Sequence, residues 1–113
     1  MKYPVIAECD GEVELIPSEA EIAKVVEPYD IASGCCRFWD VEGFALKPSV
    51  RDCRVHTVIG CIKEVDQRNA EVSFERMDET RPDIEGLKDL LDRNLLMSQV
   101  ARDIVNRLVQ KGY

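Results

Sequence analysis

Alternation of apolar and polar side chains is strongest in residues 53–77, and it constrains the fold more than any other feature of the chain. Apolar side chains occupy odd positions before residue 66 and even positions after residue 69, which is typical of a strand, a short turn and a returning strand. These positions are Val55, Ile59, Cys61, Val65, Ala70, Val72 and Phe74. The even-length turn 66–69 places both sets on one face. The sequence therefore predicts a central hairpin with one buried face.

The buried face of this hairpin needs a cover, and the pattern of residues 83–111 predicts a long helix that provides it. Apolar side chains recur there near helical spacing. The principal positions are Ile84, Leu87, Leu91, Leu95, Val105 and Val109, and the polar Ser98 lies in the same stripe. We expect Thr80 or Asp83 to cap the helix and Gly112 to end it. A break or kink is expected in residues 94–98.

The first residues of the chain predict another hairpin around Asp10-Gly11, a dipeptide that favours tight turns. A loop of odd length, Asp10-Gly11-Glu12, would place all the neighbouring apolar side chains on one face. These are Val5, Ala7, Cys9, Val13 and Leu15. Glu8 and Glu14 would then point to solvent on the other face.

A short helix and a further hairpin are expected before the central hairpin. Ser18 and Glu21 have capping-box spacing, which predicts a helix over residues 19–26. Residues 35–48 predict a hairpin whose type I turn begins at Asp40 and ends at Gly43 in the left-handed conformation. Its outer face carries Arg37, Trp39 and Lys47, together with Cys35 and Ala45.

The assembled fold class is α+β, with the order strand, strand, helix, four strands, helix. Short connections favour an antiparallel meander with the short helix and the long C-terminal helix packed on one face. With 113 residues, the chain is expected to form a single domain, 1–113.

The net charge is −7, and residues 1–50 carry most of it, with four basic and ten acidic side chains. This excess argues against nucleic-acid binding, which depends on lysine and arginine, and favours a basic protein partner. No apolar run reaches the roughly 20 residues that span a bilayer, and the first residues lack the pattern of a signal peptide. We therefore expect no membrane association and a cytoplasmic location.

The five cysteines predict reduced thiols, because their number is odd and no secretory signal is seen. Cys53, His56 and Cys61 are residue types that bind zinc. However, on one straight strand His56 faces away from the two cysteines, which lie about 27 Å apart. We therefore predict no metal, no cofactor and no catalytic residue, and we interpret the many carboxylates as turns and solvated faces.

The functional hypothesis is a non-catalytic, inhibitor-, immunity- or chaperone-like domain whose acidic surface binds a basic protein. Tryptophan and arginine are typical anchors of protein interfaces. The candidate binding residues are Trp39, Arg37, Lys47, His56, Glu8, Glu12 and Glu14. The alternative is a small-molecule-binding or enzymatic cup between the sheet and the long helix. A homo-oligomer is also expected, because the helix stripe is wide for one small sheet. The side chains that widen it are Leu90, Met97, Ile104 and Leu108.

Overall fold

The structure is a computed structural model that describes residues 1–58, 62–66, 70–93 and 95–112, with the backbone alone for 54–58 and 62–66. The strands are β1 (Val5–Cys9), β2 (Glu12–Ile16), β3 (Cys36–Trp39), β4 (Ala45–Arg51), β5 (Arg54–Val58), β6 (Ile62–Asp66), β7 (Glu71–Arg76) and β8 (Leu96–Met97). The helices are a 3-10 turn (Glu19–Glu21), α1 (Ile22–Val25), α2 (Pro28–Ala32), α3 (Ile84–Asp92) and α4 (Gln99–Lys111). The α+β class is confirmed.

Six strands form the main sheet in the order β7-β4-β3-β1-β2-β8, and β5 pairs with β6 in a separate two-stranded sheet. The predicted antiparallel meander is wrong in two respects. β8 runs parallel to β2, so the main sheet is mixed. β1 lies between β2 and β3, whereas β7 pairs with β4 and not with β6. β8 can run parallel to β2 because α3 lies before β8 in the chain and provides the crossover that a parallel strand needs.

The β1–β2 hairpin has a two-residue loop, and the predicted odd loop is wrong. Asp10 and Gly11 both have positive φ, at 51° and 86°. This conformation defines the type I′ turn, which asparagine or aspartate followed by glycine adopts readily. Cys9 therefore lies opposite Glu12, and Ala7 lies opposite Glu14. The preference of the turn outweighs the separation of apolar from charged side chains.

The β3–β4 hairpin has the predicted register. Trp39 lies opposite Ala45, and Phe38 lies opposite Leu46. The amide of Gly43 donates to the carbonyl of Asp40 at 3.0 Å, and Gly43 has φ of 90°. The predicted turn is therefore confirmed. Its left-handed position suits glycine, because a Cβ there would be strained.

The predicted central hairpin over residues 53–77 is wrong. β7 instead pairs with β4, from Leu46 opposite Arg76 to Arg51 opposite Glu71. Residues 54–58 pair with 62–66, so a smaller hairpin lies within the connection between β4 and β7. Alternation specifies the buried face of a strand but leaves its partner open. The apolar positions 59 and 61 and the turn residues 67–69 of the prediction lie outside the described residues.

The N-terminal helical segment is divided where a single helix was expected. A 3-10 turn leads into α1, which ends at Val25, and Ser18 forms no side-chain cap. Pro28 then begins α2, which was not predicted. Proline favours the first turn of a helix because it has no amide hydrogen to leave unpaired.

The C-terminal segment breaks within the predicted window, between α3 and α4. The side chain of Asp83 accepts from the amide of Gly86 and caps α3. Ser98 caps α4 by accepting from the amide of Ala101. α4 ends before Gly112, as expected. The short β8 occupies the gap between the two helices.

Helices cover both faces of the main sheet, so the prediction that they share one face is wrong. α1 and α2 pack over one buried cluster, whose members are Val5, Ala7, Ile16, Ile22, Val26, Ile31, Phe38 and Leu46. α3 and α4 pack over the other, whose members are Ile6, Val13, Trp39, Leu87, Leu90, Ala101, Ile104 and Val105. A sheet with two buried faces needs apolar side chains at consecutive positions, as at Val5-Ile6-Ala7 and Phe38-Trp39.

Candidate functional site

A groove of about 380 Å³ lies between the β1–β2 turn and the junction of α1 with α2. Ala7, Val25 and Val26 provide apolar surface in it, together with Cys9. The remaining lining residues are acidic: Asp10, Glu12, Glu14, Glu27 and Asp30. We call this cavity the acidic groove and these five side chains the groove carboxylates.

The type I′ turn determines one wall of the acidic groove. Because its loop has two residues, Glu12 and Glu14 lie on the same sheet face as Cys9 and Ala7. This is the face that α1 and α2 cover. A loop one residue longer would turn both glutamates to the opposite face, since side chains alternate along a strand. The turn dipeptide at Asp10-Gly11 therefore places two of the groove carboxylates.

The other wall is formed where α1 ends and α2 begins. Val26 and Glu27 have extended backbone conformations, with ψ of 131° and 132°. Pro28 disfavours helical geometry at the residue before it, so the chain turns at this point. Glu27 precedes α2, and Asp30 lies in its first turn. The turn thus brings two further carboxylates to the groove opposite Glu12 and Glu14.

Within the part of the chain that the structure describes, the groove carboxylates have no cationic neighbour. None of them takes part in the ion pairs within 4.0 Å that the described residues form. Elsewhere in the described chain, carboxylates such as Asp40 and Glu8 are paired with arginine. Like charges that share a cavity repel one another and attract cations. The acidic groove therefore has the electrostatic character of a site for positively charged groups.

A disulfide between Cys9 and Cys36 lies at the end of the acidic groove where the β1–β3 ladder stops. The two Cα atoms are 4.3 Å apart, a separation typical of directly opposed antiparallel residues. The expectation that all five cysteines are reduced thiols is therefore wrong for this pair. Register brings together two cysteines that are 27 residues apart in sequence. Cys35 and Cys53 are free thiols, and Cys35 is exposed.

Three of the predicted binding residues form a network on the opposite face of the sheet. Trp39 is 2% exposed under α3, and its indole nitrogen donates to Asp83 at 3.0 Å. Arg37 lies 5.3 Å from the centre of the Trp39 ring and donates to Glu8 at 3.3 Å and to Asp89 at 3.1 Å. Trp39 is thus an anchor between the sheet and α3.

Burial of the Arg37 guanidinium lowers its pKa, but hydrogen bonds and charge from Asp89 and Glu8 outweigh this effect and hold the pKa above its ordinary value. Glu8 is 6% exposed and also lies 3.6 Å from Arg93. Two carboxylates and two guanidiniums therefore neutralise one another in this cluster. Glu8 and Arg37 are therefore neutralised by ion pairs within the protein.

The other two predicted binding residues are Lys47 and His56. Lys47 is exposed on β4, opposite Glu75 of β7. His56 lies on β5 opposite Glu64 of β6, and its side chain lies outside the described residues. Of the seven predicted binding residues, the structure brings Glu12 and Glu14 together in the acidic groove, and Glu8, Arg37 and Trp39 together under α3.

Sequence reasoning missed Asp10, Glu27 and Asp30 as members of the site. Asp10 and Glu12 were predicted to lie in the first turn, and Asp30 belongs to α2, which was not predicted. The Asp10-Gly11 dipeptide was the sequence signal for this wall of the groove, because a type I′ turn determines on which face the following residues lie. The signal for Glu27 and Asp30 was Pro28, which marks both a helix boundary and a helix start.

No protein-family model, curated protein or solved structure matches this chain. No helix in the described ranges is long and apolar enough to cross a membrane. In the same ranges, no group of three or more histidine, cysteine, aspartate or glutamate side chains has a geometry that could hold a metal ion. What the acidic groove binds must be inferred from its own chemistry.

Proposed function

We propose that the chain is a non-catalytic protein-binding domain that engages a basic partner through the acidic groove. The observation that carries this proposal is the set of five groove carboxylates around partly apolar walls, none of which forms an ion pair with another described residue. A lysine or arginine side chain fits such a groove, because its methylene stem contacts apolar surface while its charged head meets carboxylates. Charge complementarity also accelerates the encounter of the two proteins.

The test is binding of a labelled lysine-rich peptide, followed by fluorescence anisotropy. The groove variant is the double substitution Glu12→Gln with Glu14→Gln. The matched control is Glu71→Gln with Glu75→Gln, which changes the net charge equally on exposed positions of β7. We expect the groove variant to weaken binding about fivefold, because each exposed ion pair contributes up to about 1 kcal/mol. The control should change affinity less than about twofold.

Salt dependence separates the outcomes further. Affinity of the unmodified chain should fall as NaCl rises from about 0.02 M to about 0.2 M, because salt screens exposed charges. Equal weakening of binding by the groove variant and the control would show attraction to net charge alone. An unchanged affinity in the groove variant would exclude the acidic groove as the binding site.

The alternative proposal, a ligand-binding or enzymatic cup between the sheet and the C-terminal helices, draws little support from the described packing. Trp39, Leu87 and Leu90 are at most 2% exposed and occupy this interface. Ala101 and Val105 of α4 complete the packing from the other helix. A pocket at the centre of this interface would require these side chains to separate, at a cost of roughly 1.5–3 kcal/mol for each large one exposed.

Homo-oligomerisation remains a proposal, but the side chains that would support it differ from those expected. The widening residues of the helical stripe pack into the cluster under α3 and α4; they are Leu90, Met97, Ile104 and Leu108. Among the side chains that the structure describes, the exposed large apolar ones are instead Met77, Leu96 and Val100, besides Met1. Sedimentation velocity of the chain and of a Leu96→Ser variant would test whether an apolar contact holds two copies together. A cytoplasmic location likewise remains a prediction.

A further inference from the structure

The Cys9–Cys36 disulfide connects the two carboxylate-bearing walls of the acidic groove. Cys9 is the last residue of β1, immediately before the turn that leads to Glu12. Cys36 is the first residue of β3, and the amide of the preceding residue, Cys35, donates to the carbonyl of Asp30 at 3.3 Å. The cross-link therefore joins the β1–β2 hairpin to α2, because each cysteine lies within a few residues of one groove wall.

The cross-link lies at the end of the β1–β3 ladder, where backbone hydrogen bonds hold the two strands together least firmly. The pair of Cys9 and Cys36 is the last pair of the β1–β3 ladder, and a terminal pair opens more easily than an internal one. The five groove carboxylates lie beside it, and their mutual repulsion favours separation of the walls. The disulfide opposes that separation.

We propose that the Cys9–Cys36 disulfide is a redox switch that holds the acidic groove in its binding conformation. In the oxidised form the cross-link keeps the groove carboxylates close together. Two-electron reduction lets the end of the ladder open, the carboxylates spread, and the affinity for a cationic partner falls. The effect on affinity rests on the proposed function, whereas the opening of the ladder does not.

The reductant belongs to the dithiol class, and the step is thiol–disulfide exchange. One thiolate of the dithiol attacks a sulfur of the disulfide, breaks the S–S bond and releases the other cysteine as a thiolate. The second thiolate of the dithiol attacks the mixed disulfide and releases the first cysteine. Two protons from the dithiol end on Cys9 and Cys36, and the dithiol becomes a cyclic disulfide.

The fold supports a reversible switch because the rest of the ladder does not depend on the cross-link. Ile6 and Ala7 lie opposite Trp39 and Phe38 further along β1, and all four are buried. Cys9 and Cys36 are half-buried rather than enclosed, so a small dithiol can approach them. The sequence predicts a cytoplasmic location, and disulfides of cytoplasmic proteins are usually transient or redox-sensing.

The experiment compares oxidised and dithiothreitol-reduced protein by amide hydrogen exchange and by binding of the lysine-rich peptide. Reduction should raise exchange at residues 9–12 and 35–36 at least about tenfold and leave residues 5–7 and 38–39 unchanged. Peptide affinity should fall at least about fivefold, the lower end of couplings between sites. Reoxidation should restore both readouts in the same sample.

Matched variants separate the cross-link from the other thiols. Cys35→Ser removes the exposed neighbouring thiol and should keep the full redox response. Cys9→Ser with Cys36→Ser should match the reduced protein and no longer respond to dithiothreitol. The reversible change in the unmodified chain supplies the same comparison if the double variant does not fold.

Each negative outcome has a distinct meaning. Alkylation of both Cys9 and Cys36 in non-reduced protein, read by mass spectrometry, would show that the cross-link is absent and would overturn the switch. Unchanged exchange after verified reduction would overturn it as well, as would equal affinity in both redox states of a chain that binds the peptide. Increased exchange without peptide binding in either state would refute the proposed function and leave the opening of the ladder supported.

Discussion

Asp40 is a fully buried carboxylate whose removal should strongly destabilise the fold. Its Oδ1 accepts from the amides of Glu42 and Phe44, each at 3.0 Å. Its Oδ2 accepts from Nε of Arg76 at 2.8 Å. The guanidinium of Arg76 also lies 3.9 Å from the centre of the Phe44 ring. Asp40 therefore clips the β3–β4 turn together and joins it to β7.

Two substitutions divide the contribution of Asp40 into parts. Asp40→Asn keeps an oxygen for the two amides but places an uncharged group against Arg76. The loss of one charge-assisted hydrogen bond should lower the free energy of unfolding by about 2 kcal/mol. Asp40→Ala also removes the two amide bonds, each contributing about 1 kcal/mol, so its total loss should be about 4 kcal/mol. Because native domains have roughly 5–15 kcal/mol of stability, both losses are measurable.

Urea unfolding followed by the emission of Trp39, the single tryptophan, measures both variants. Asp103→Asn is the control, since this exposed carboxylate accepts from Gln99 on the surface of α4, and its effect should stay within about 0.5 kcal/mol. Equal losses for Asp40→Asn and Asp40→Ala would show that the amide bonds contribute nothing. Losses no larger than that of the control would refute the interpretation of Asp40 as a clip.

Two further predictions concern the N-terminus of α3 and the first residues of the chain. A Cβ at Gly86 would overlap the carboxylate of Asp83. Gly86→Ala should therefore disturb both the cap of α3 and the hydrogen bond that Trp39 donates to Asp83. We expect the free energy of unfolding to fall by about 2 kcal/mol and the tryptophan emission of the native protein to shift. Burial raises the pKa of Tyr3 above its ordinary value of 10.0, so the folded state retains the phenolic proton more tightly than the unfolded state. Stability should therefore be complete below about pH 10 and fall as pH rises through the folded pKa, whereas Tyr3→Phe should flatten this decline in urea titrations between about pH 9 and about pH 11.

Local signals in the sequence predicted part of the local structure correctly. The Asp40–Gly43 turn, its left-handed glycine and the register of β3 with β4 all follow from a few neighbouring residues. The cap at Asp83 and the break between α3 and α4 are of the same kind. Each of these features depends on backbone preferences within one turn, which the side chains of that turn control.

Pairings between distant segments were predicted poorly, and the reason is physical. Val72 and Phe74 alternate with polar residues as expected, but alternation fits any strand that presents a matching buried face. β4 offers such a face with Leu46 and Val50, and the Arg51–Glu71 ion pair closes the ladder at its end. The sequence also did not specify which face of the sheet each helix covers, because both faces are apolar enough to pack against an apolar helix stripe.

The candidate site illustrates how a single local preference can change a functional interpretation. With a three-residue loop, Glu14 would point away from Cys9, and the first hairpin would present a purely apolar face. The positive φ of Asp10 and Gly11 shortens that loop by one residue and brings Glu12 and Glu14 onto the cysteine-bearing face. Placing charge there is unfavourable for packing, so the turn preference must outweigh it within the hairpin. A cationic partner would offset this cost on binding, which links the conformation of the turn to the proposed recognition of a basic protein.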